Sequence, residues 1–379
     1  MSNGRPSRRN HRLRRERGAS GKWNAASVTA PIRVLILGSS FGGAVHAPGF
    51  QRNPAFRLAG IASGKAENAK RVAAALGIPY ATDDWERMLD EAPADLVSIA
   101  TPVDQHYPMA RAALERGLHV LCEKPFAMNA LEAKELLELA RARGVVHVVN
   151  HEFRHYPARA ALTRRIGEGA LGKVEHIVIR DLIPGWARNA SRRLTWLTER
   201  GRGGGYLGAL GSHHVDQLLL WGGPIERVFC TLRTLAAEGP DASPGQRGIT
   251  ADDSFTLLAR FSEGARGVVD LFGGSHTRRV GMEVFGSRDA LAVVDPYRLG
   301  RWKQDGSFEE VEIPEDLRLT PTPEESLLAP FSAKVEMIRE AIQEGKRPGP
   351  DFEDGVRIQE VLDAARRSDA SGSWERVGE

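Results

Sequence analysis

Two short runs carry side chains able to move a proton. Cys122-Glu123-Lys124-Pro125 sets a carboxylate and an ammonium ahead of a proline. Gly203-Gly204-Gly205-Tyr206-Leu207-Gly208-Ala209-Leu210-Gly211-Ser212 leads into His213, His214, Val215 and Asp216. A lysine beside a cationic group loses its proton more readily than a free one, and histidine titrates near neutrality, so both suit proton transfer. His213 and Asp216 are three apart and can share a helix face. Plainer readings stand beside these. Glu123 and Lys124 serve equally as a surface pair before a proline, and a histidine pair at a helix head is more often structural than catalytic. A metal site is disfavoured, because no third ligand follows at helical spacing and two cysteines cannot supply paired thiolates.

A glycine turn offers a place for phosphates. Gly38-Ser39-Ser40-Phe41-Gly42-Gly43 follows the apolar run Ile32-Arg33-Val34-Leu35-Ile36-Leu37. It matches the dinucleotide fingerprint with Ser40 at the second glycine. Gly38 permits the tight turn, Gly43 permits close helix packing, and the helix-start amides face a pyrophosphate. The second apolar run ends at Ala62-Ser63-Gly64-Lys65, with no carboxylate before Glu67. A carboxylate there would accept from the free ribose 2′-hydroxyl of NAD, whereas Ser63 and Lys65 suit the 2′-phosphate of NADP. NADP is therefore expected ahead of NAD. Thr101-Pro102, His106 and Glu123-Lys124 follow later strands at their carboxyl ends, where open α/β sheets bind ligands. The expected cofactor contacts are Gly38, Ser40, Phe41, Gly42, Gly43, Ser63, Lys65, Thr101, Pro102, His106, Glu123 and Lys124.

The elements that position these residues fall into two patterns. Strands over 32–38, 56–62, 95–100, 118–122 and 145–149 alternate with helices over 66–76, 107–116 and 130–143, the pattern of a doubly wound parallel sheet. After residue 150 a helix over 157–167 precedes closely spaced β runs at 174–180, 225–234, 254–261, 265–272, 279–286 and 290–294. These mostly lack crossover helices and predict a largely antiparallel sheet. Further helices are expected over 324–343 and 354–367. The fold class is thus an α/β Rossmann domain at 31–150 followed by an α+β domain at 151–379, for substrate binding and oligomerisation. Loops around 183–205 and 239–250 would shape the substrate pocket.

The chain of 379 residues is long enough for two domains. Its net charge of +3 is uneven: residues 1–30 hold seven Arg and one Lys against the single acid Glu16, so the tail carries +7 and the remainder −4. A basic, unstructured tail is expected there, and the body lacks the charge of a nucleic-acid binder. Ser7-Arg8-Arg9 lacks the apolar stretch an export signal needs. No run of ~20 apolar residues exists to span a membrane. Two well-separated cysteines, Cys122 and Cys230, suit a reducing cytoplasm.

The ordered set of motifs resembles the Gfo/Idh/MocA oxidoreductases. It comprises the Gly38–Gly43 turn, Ala100-Thr101-Pro102 with His106, Glu123-Lys124-Pro125, Phe153-Arg154, Gly169-Ala170-Leu171-Gly172-Lys173-Val174, the Gly203 to Asp216 block, and Asp351-Phe352-Glu353-Asp354-Gly355. The resemblance runs from about residue 31 to 379. It implies dehydrogenation or reduction of a polyol or keto-sugar by a homodimer or homotetramer. It also implies Lys124 in contact with substrate and cofactor and His213 as acid/base. Arg154, Trp186, Tyr206 and Asp216 are expected on the substrate side. Trp186 can face a sugar ring or pack in a core or interface. The family often carries an aspartate four residues before the helix-head histidine; here that residue is Ala209, which leaves His214 or Asp216 to compensate. Two other functions share the fold: a redox-neutral nicotinamide-dependent glycosidase or lyase, and a non-catalytic NADP-binding regulator.

Overall fold

The computed structural model describes residues 30–184, 194–235, 248–319 and 327–379. Trp186 and most of residues 1–30 lie outside the described residues. The described residues form two sheets. The first has six parallel strands: β1 (Ile32–Leu37), β2 (Phe56–Ala62), β3 (Ala81–Thr82), β4 (Leu96–Ile99), β5 (His119–Cys122) and β6 (His147–Val149), ordered β3-β2-β1-β4-β5-β6. β1 is buried at every position except Arg33, as a strand covered on both faces must be. Helices α1 (Ala47–Gln51), α2 (Ala66–Leu76), α3 (Trp85–Glu91), α4 (His106–Glu115) and α5 (Ala130–Arg143) connect these strands. α3 was not anticipated from the sequence; its local signal is Asp84, whose side chain accepts from the Arg87 amide. Asn129 caps α5 in the same way, and Gly144, in the left-handed region, ends it.

After α6 (Pro157–Gly167) comes a nine-stranded sheet: β7 (Val174–Pro184), β8 (Ile225–Arg233), β9 (Ser254–Phe261), β10 (Arg266–Ser275), β11 (Arg279–Gly286), β12 (Ala290–Asp295), β13 (Arg298–Trp302), β14 (Phe308–Val311) and β15 (Glu375–Arg376). The order is β14-β13-β12-β11-β7-β10-β9-β8-β15. Only β7 and β10 pair in parallel. In β9 buried positions largely alternate with exposed or half-buried ones, so one face meets the core and the other is open. Helices α7 (Ser212–Gly222) and α9 (Phe352–Ser371) cover the inner face, joining Val215, Leu218, Val361 and Leu362 to Val228, Leu257 and Val269.

The end of the chain returns to the first sheet. Phe331, Val335, Ile338 and Ala341 of α8 (Leu328–Glu344) share a cluster with Ile32, Val34 and Phe50. Phe352 and Val356 of α9 join the opposite face, where Phe352 packs 4.2 Å from Phe126. Asp351 caps α9 by accepting from the amides of Glu353 and Asp354.

Candidate active site

The glycine turn is shaped by what it must avoid. Gly38 has φ 110°, and a Cβ there would run into the carbonyl of Ala100. A Cβ on Gly42 would lie 2.9 Å from Ile36 Cγ2, and one on Gly43 3.1 Å from the Val72 methyls. The turn is therefore pressed between β1, the end of β4 and α2. Ser63 follows β2 and shares a hydrogen bond of 2.7 Å with Ser39. Lys65, exposed, precedes α2.

Glu123 and Lys124 are not a surface pair. Glu123 is 7% exposed. Its Oε1 lies 3.0 Å from His46 Nε2 and accepts from the Asn150 amide at 2.5 Å, while the other ring nitrogen of His46 meets Ser98 at 2.7 Å. Burial alone would push the Glu123 carboxyl up, but the His46 hydrogen bond, the charges of His46 and Lys124, and Asn150 hold it below the usual range. The His106 ring is buried between the Thr101 carbonyl and the Pro125 carbonyl, each 3.0 Å from a ring nitrogen. His106 thus ties the Thr101-Pro102 loop to the Glu-Lys-Pro loop. It and Glu123 position the loops with their polar atoms rather than present those atoms to the cleft.

Lys124 is half-buried and donates to the Ala209 carbonyl at 2.9 Å, one turn ahead of α7. The glycine block before it is tightly packed. A Cβ on Gly204 would strike the carbonyls of Trp196 and Leu197, and one on Gly205 the Asp252 carboxylate. Asp252 accepts from the Leu207 amide at 2.7 Å, and burial pushes its carboxyl up to about 6. This anchoring brings His213 beside Lys124. The His213 ring is 1% exposed and stacks on Phe153, with centroids 3.8 Å apart and planes 12° apart. Neither of its nitrogens has a partner among the described residues. Burial, then the Lys124 charge, holds it well below the usual histidine range, so the ring is neutral.

The two residues expected to compensate for Ala209 are engaged elsewhere. His214 Nε2 pairs with Asp181 Oδ2 at 3.1 Å, and Arg278 also binds Asp181. Asp216 takes a forked pair from Arg154, at 2.8 Å to Nε and 2.5 Å to Nη2. Arg154 also lies 3.5 Å from Asp354. Burial opposes the Arg154 charge, but Asp216 holds its guanidinium above the usual value. Arg154 and Asp216 are therefore bound to each other, joining the loop after β6 to α7. Tyr206 is 5% exposed and belongs to the second core, its amide donating to the Asp252 carbonyl. Among the described residues no group of three His, Cys, Asp or Glu side chains is arranged to hold a metal.

Four further residues of this region were not singled out from the sequence. His151 and Glu152 follow β6 at its carboxyl end, as Glu123 and Lys124 follow β5, and that position was their signal. Burial pushes Glu152 up to about 8. Arg159 sits 5.0 Å over the Phe153 ring, and burial lowers it to about 10. Lys334, on α8, is fully buried, donates to the Gly349 carbonyl at 2.9 Å, and is lowered by burial to about 7. Nothing local in the sequence marks it.

A parallel sheet with a glycine cradle at its switch point, a lysine at the end of β5 and a buried histidine unpartnered among the described residues define a dinucleotide-dependent enzyme of the α/β class. Residues 32–151 match the oxidoreductase family with an NAD-binding Rossmann fold, and residues 160–292 match the GFO/IDH/MocA C-terminal domain. The chain is 30% identical over 82% of its length to a glucose-fructose oxidoreductase domain-containing protein 2 of Xenopus laevis, covering 85% of that protein. It is 28% identical over 90% of its length to levoglucosan dehydrogenase of Pseudarthrobacter phenanthrenivorans, covering 97% of it. A levoglucosan dehydrogenase structure in complex with NADH and L-sorbose matches with a TM-score of 0.82 and 26% identity, over 92% of this chain and all of that one. The chain belongs to the Gfo/Idh/MocA oxidoreductase family, and it is a nicotinamide-dependent dehydrogenase or reductase.

The turn fits such a cofactor: without a Cβ at Gly38 or Gly42 it lies directly against Ala100 and Ile36, at the carboxyl end of β1 where a dinucleotide's phosphates are held. Gly38, Ser40, Phe41, Gly42 and Gly43 would hold the pyrophosphate, Ser63 and Lys65 the adenosine ribose, and Thr101, Pro102 and Lys124 the nicotinamide end. The bound nicotinamide supplies hydride transfer.

Proposed function

We propose that the protein oxidises a secondary hydroxyl of a sugar or cyclitol, or reduces the matching ketone, with Lys124 and His213 as its proton-handling pair. The observation that carries this reading is the His213 ring, neutral, buried, with neither nitrogen partnered among the described residues and close enough to Lys124 to feel its charge. A neutral imidazole has one lone pair free to accept a hydroxyl proton. Lys124 supplies positive charge beside the developing alkoxide, and its tie to the Ala209 carbonyl fixes its direction. Phe153, stacked on His213, holds the ring in place and keeps water from one face. Arg154 and Asp216 lock the helix carrying His213, a positioning part in place of direct substrate contact. The test is a screen of sugars, cyclitols and their keto forms with both cofactors. Stoichiometric reduced cofactor supports a dehydrogenase. Product without it indicates the redox-neutral lyase, and cofactor binding without turnover indicates a regulator.

NADP is proposed as the preferred cofactor, because the end of β2 carries Ser63 hydrogen-bonded to Ser39, with Lys65 two residues on. Titrating both cofactors decides it, and tighter NAD binding reverses the assignment. Residues 31–150 are assigned to dinucleotide binding and 151–379 to substrate binding and assembly. The open face of the nine-stranded sheet leaves Trp302 and Phe285 exposed, which supports a homodimer or homotetramer there. Light scattering of the eluted protein checks the mass. Cys122 and Cys230 are free and buried, which supports a cytoplasmic location.

A further inference from the structure

Arg159 has no part in the function described so far, and it is enclosed without a carboxylate of its own. It lies in α6, 5% exposed, and neither its Nε nor its Nη1 has a partner among the described residues. The groups whose charge it feels are Tyr156 beside it, Asp181 on β7, Asp216 on α7 and Glu152 after β6. Asp181 is held by His214 and Arg278, and Asp216 by Arg154. Burial pushes Glu152 up to about 8, so it is mostly protonated at neutrality. Burial lowers Arg159 to about 10, which leaves it charged. Enclosing a charge without a bound opposite one is costly. A methionine would cover the same neighbours without that cost, so packing does not account for an arginine.

The guanidinium covers the ring that is stacked on His213. Its central carbon lies 5.0 Å from the Phe153 centroid and 5.7 Å from that of Tyr156. The same Phe153 ring meets His213 with centroids 3.8 Å apart. Both distances run to one centroid, so the charge lies within about 9 Å of the His213 ring. The groups facing His213 are Lys124 after β5, His151 after β6, Arg159 on α6 and His214 on α7 itself. Burial keeps His151 and His214 neutral, so Lys124 and Arg159 are the positive charges of the set. At about 9 Å and an effective dielectric of about 20, a unit charge moves a titration midpoint by about 1 pH unit. The same field favours the alkoxide form of a hydroxyl that meets this ring.

We propose that Arg159 is a positioning residue of the proton-handling pair: it holds Phe153 against His213 and sets a permanent positive charge near that ring, so that His213 enters the reaction unprotonated. It acts through Phe153 and through its field, without touching substrate. This rests on the proposed function in taking His213 as the acid/base group.

The test separates charge from packing. Arg159→Met keeps the length and the ring contact and removes the charge, whereas Arg159→Lys keeps the charge. The His213 ring is followed by NMR in protein labelled at its imidazoles, its signal assigned by its loss in His213→Asn. Arg159→Met should move the His213 titration upward, toward ~6.5, by about 1 pH unit, and Arg159→Lys should stay within about 0.3 of the wild type. With a substrate polyol the acid limb of kcat/KM should move by the same amount. On that substrate kcat should fall about tenfold, with KM within about twofold. Arg159→Gln is run alongside with matched unfolding curves, so that a folding failure in one uncharged variant leaves the other. An unmoved ring titration in a folded uncharged variant, an equal movement in Arg159→Lys, or a ring unprotonated in every protein down to the acid limit of folding would each overturn the proposal. The NMR titration needs no turnover. A shifted ring titration with an unmoved acid limb removes His213 as the acid/base group and leaves the hold of Arg159 on that ring standing.

Discussion

Lys124 and His213 differ in how the protein holds them, and this separates their expected mutant behaviour. Lys124 is tied by a single bond to the Ala209 carbonyl, so removing its side chain leaves one exchangeable acceptor and little else disturbed. Lys124→Ala should keep the fold and most cofactor affinity while lowering kcat by about 10²–10⁴-fold. Near-normal turnover of the variant would end its catalytic assignment. In the proposed mechanism His213 acts in its neutral form, and burial holds its protonation well below the ordinary range near ~6.5. The acid limb of kcat/KM should therefore lie below that range in the wild type, and His213→Asn should lower the rate and erase the limb. An unchanged pH profile would leave proton transfer to Lys124 alone. At the cofactor end, Ser63→Asp with Lys65→Ala places a carboxylate where a 2′-phosphate would lie. Charge-assisted hydrogen bonds are worth about 1.5–3 kcal/mol, so the ratio of NADP to NAD affinity should fall by roughly tenfold to a hundredfold or more. Equal ratios in variant and wild type would mean that the turn does not read the ribose.

At the scale of elements, helix α7 is fastened to the loop after β6 by a buried ion pair. Arg154 comes from the loop after β6 and Asp216 from the first turn and a half of α7. Asp216 is 1% exposed, and its loss leaves the largely buried Arg154 guanidinium with only the longer contact to Asp354. Asp216→Ala should cost about 3–5 kcal/mol in chemical denaturation. Asp216→Leu with Arg154→Met should cost less than the sum of the single changes, because neither member of the buried pair is left facing an absent partner. A single-variant loss under about 1 kcal/mol would show that the pair does not anchor the helix. Helix α8 is fastened to the first sheet, with its Phe331 stacked on His46 at 4.4 Å. His46 in turn touches Glu123, so this late helix bears on the Glu-Lys-Pro loop.

Across the whole molecule, several histidines are buried in neutral form, and this sets how stability varies with pH. Burial pushes His119 and His151 down to about 4 each. In the unfolded chain both protonate near ~6.5. As pH falls from 6.5 toward 4 the unfolded state takes up these protons and the folded state does not. The stability present above 6.5 is lost, with a slope of up to about 1.4 kcal/mol per pH unit for each group. Glu152 works the other way. Its folded value of about 8 lies above the unfolded ~4.5, so its contribution is present in acid and fades as pH rises. Asp252, raised to about 6, and Asp354, also raised by burial, act like Glu152, but burial lowers His106, His213 and His214 as well, so the histidines outnumber the carboxyls and the denaturation midpoint should drop between pH 6.5 and 4.5. His119→Gln should flatten the slope by about one proton. A midpoint constant over that range would contradict the buried neutral histidines.

The parallel sheet, the glycine cradle, the Glu-Lys-Pro loop and the helix-head histidine were all legible in the sequence. Each is a local pattern: an apolar run closed by glycine, a strand end, a helix start after a glycine-rich run. The pairings of His214 with Asp181 and Asp216 with Arg154 were not, because each partner lies more than thirty residues away and no local spacing encodes such a contact. The same holds for Lys334, which looks like any helical lysine until α8 folds back against the first sheet. Burial decided the rest. Glu123 and Lys124 read equally as a surface pair until tertiary packing enclosed Glu123, and His151 was one residue in a polar stretch until its ring was set against His213. Sequence patterns determine which side chains sit at strand ends, since the backbone period is local. Only the tertiary structure decides which of them lose water and which face each other, because both depend on contacts between distant segments.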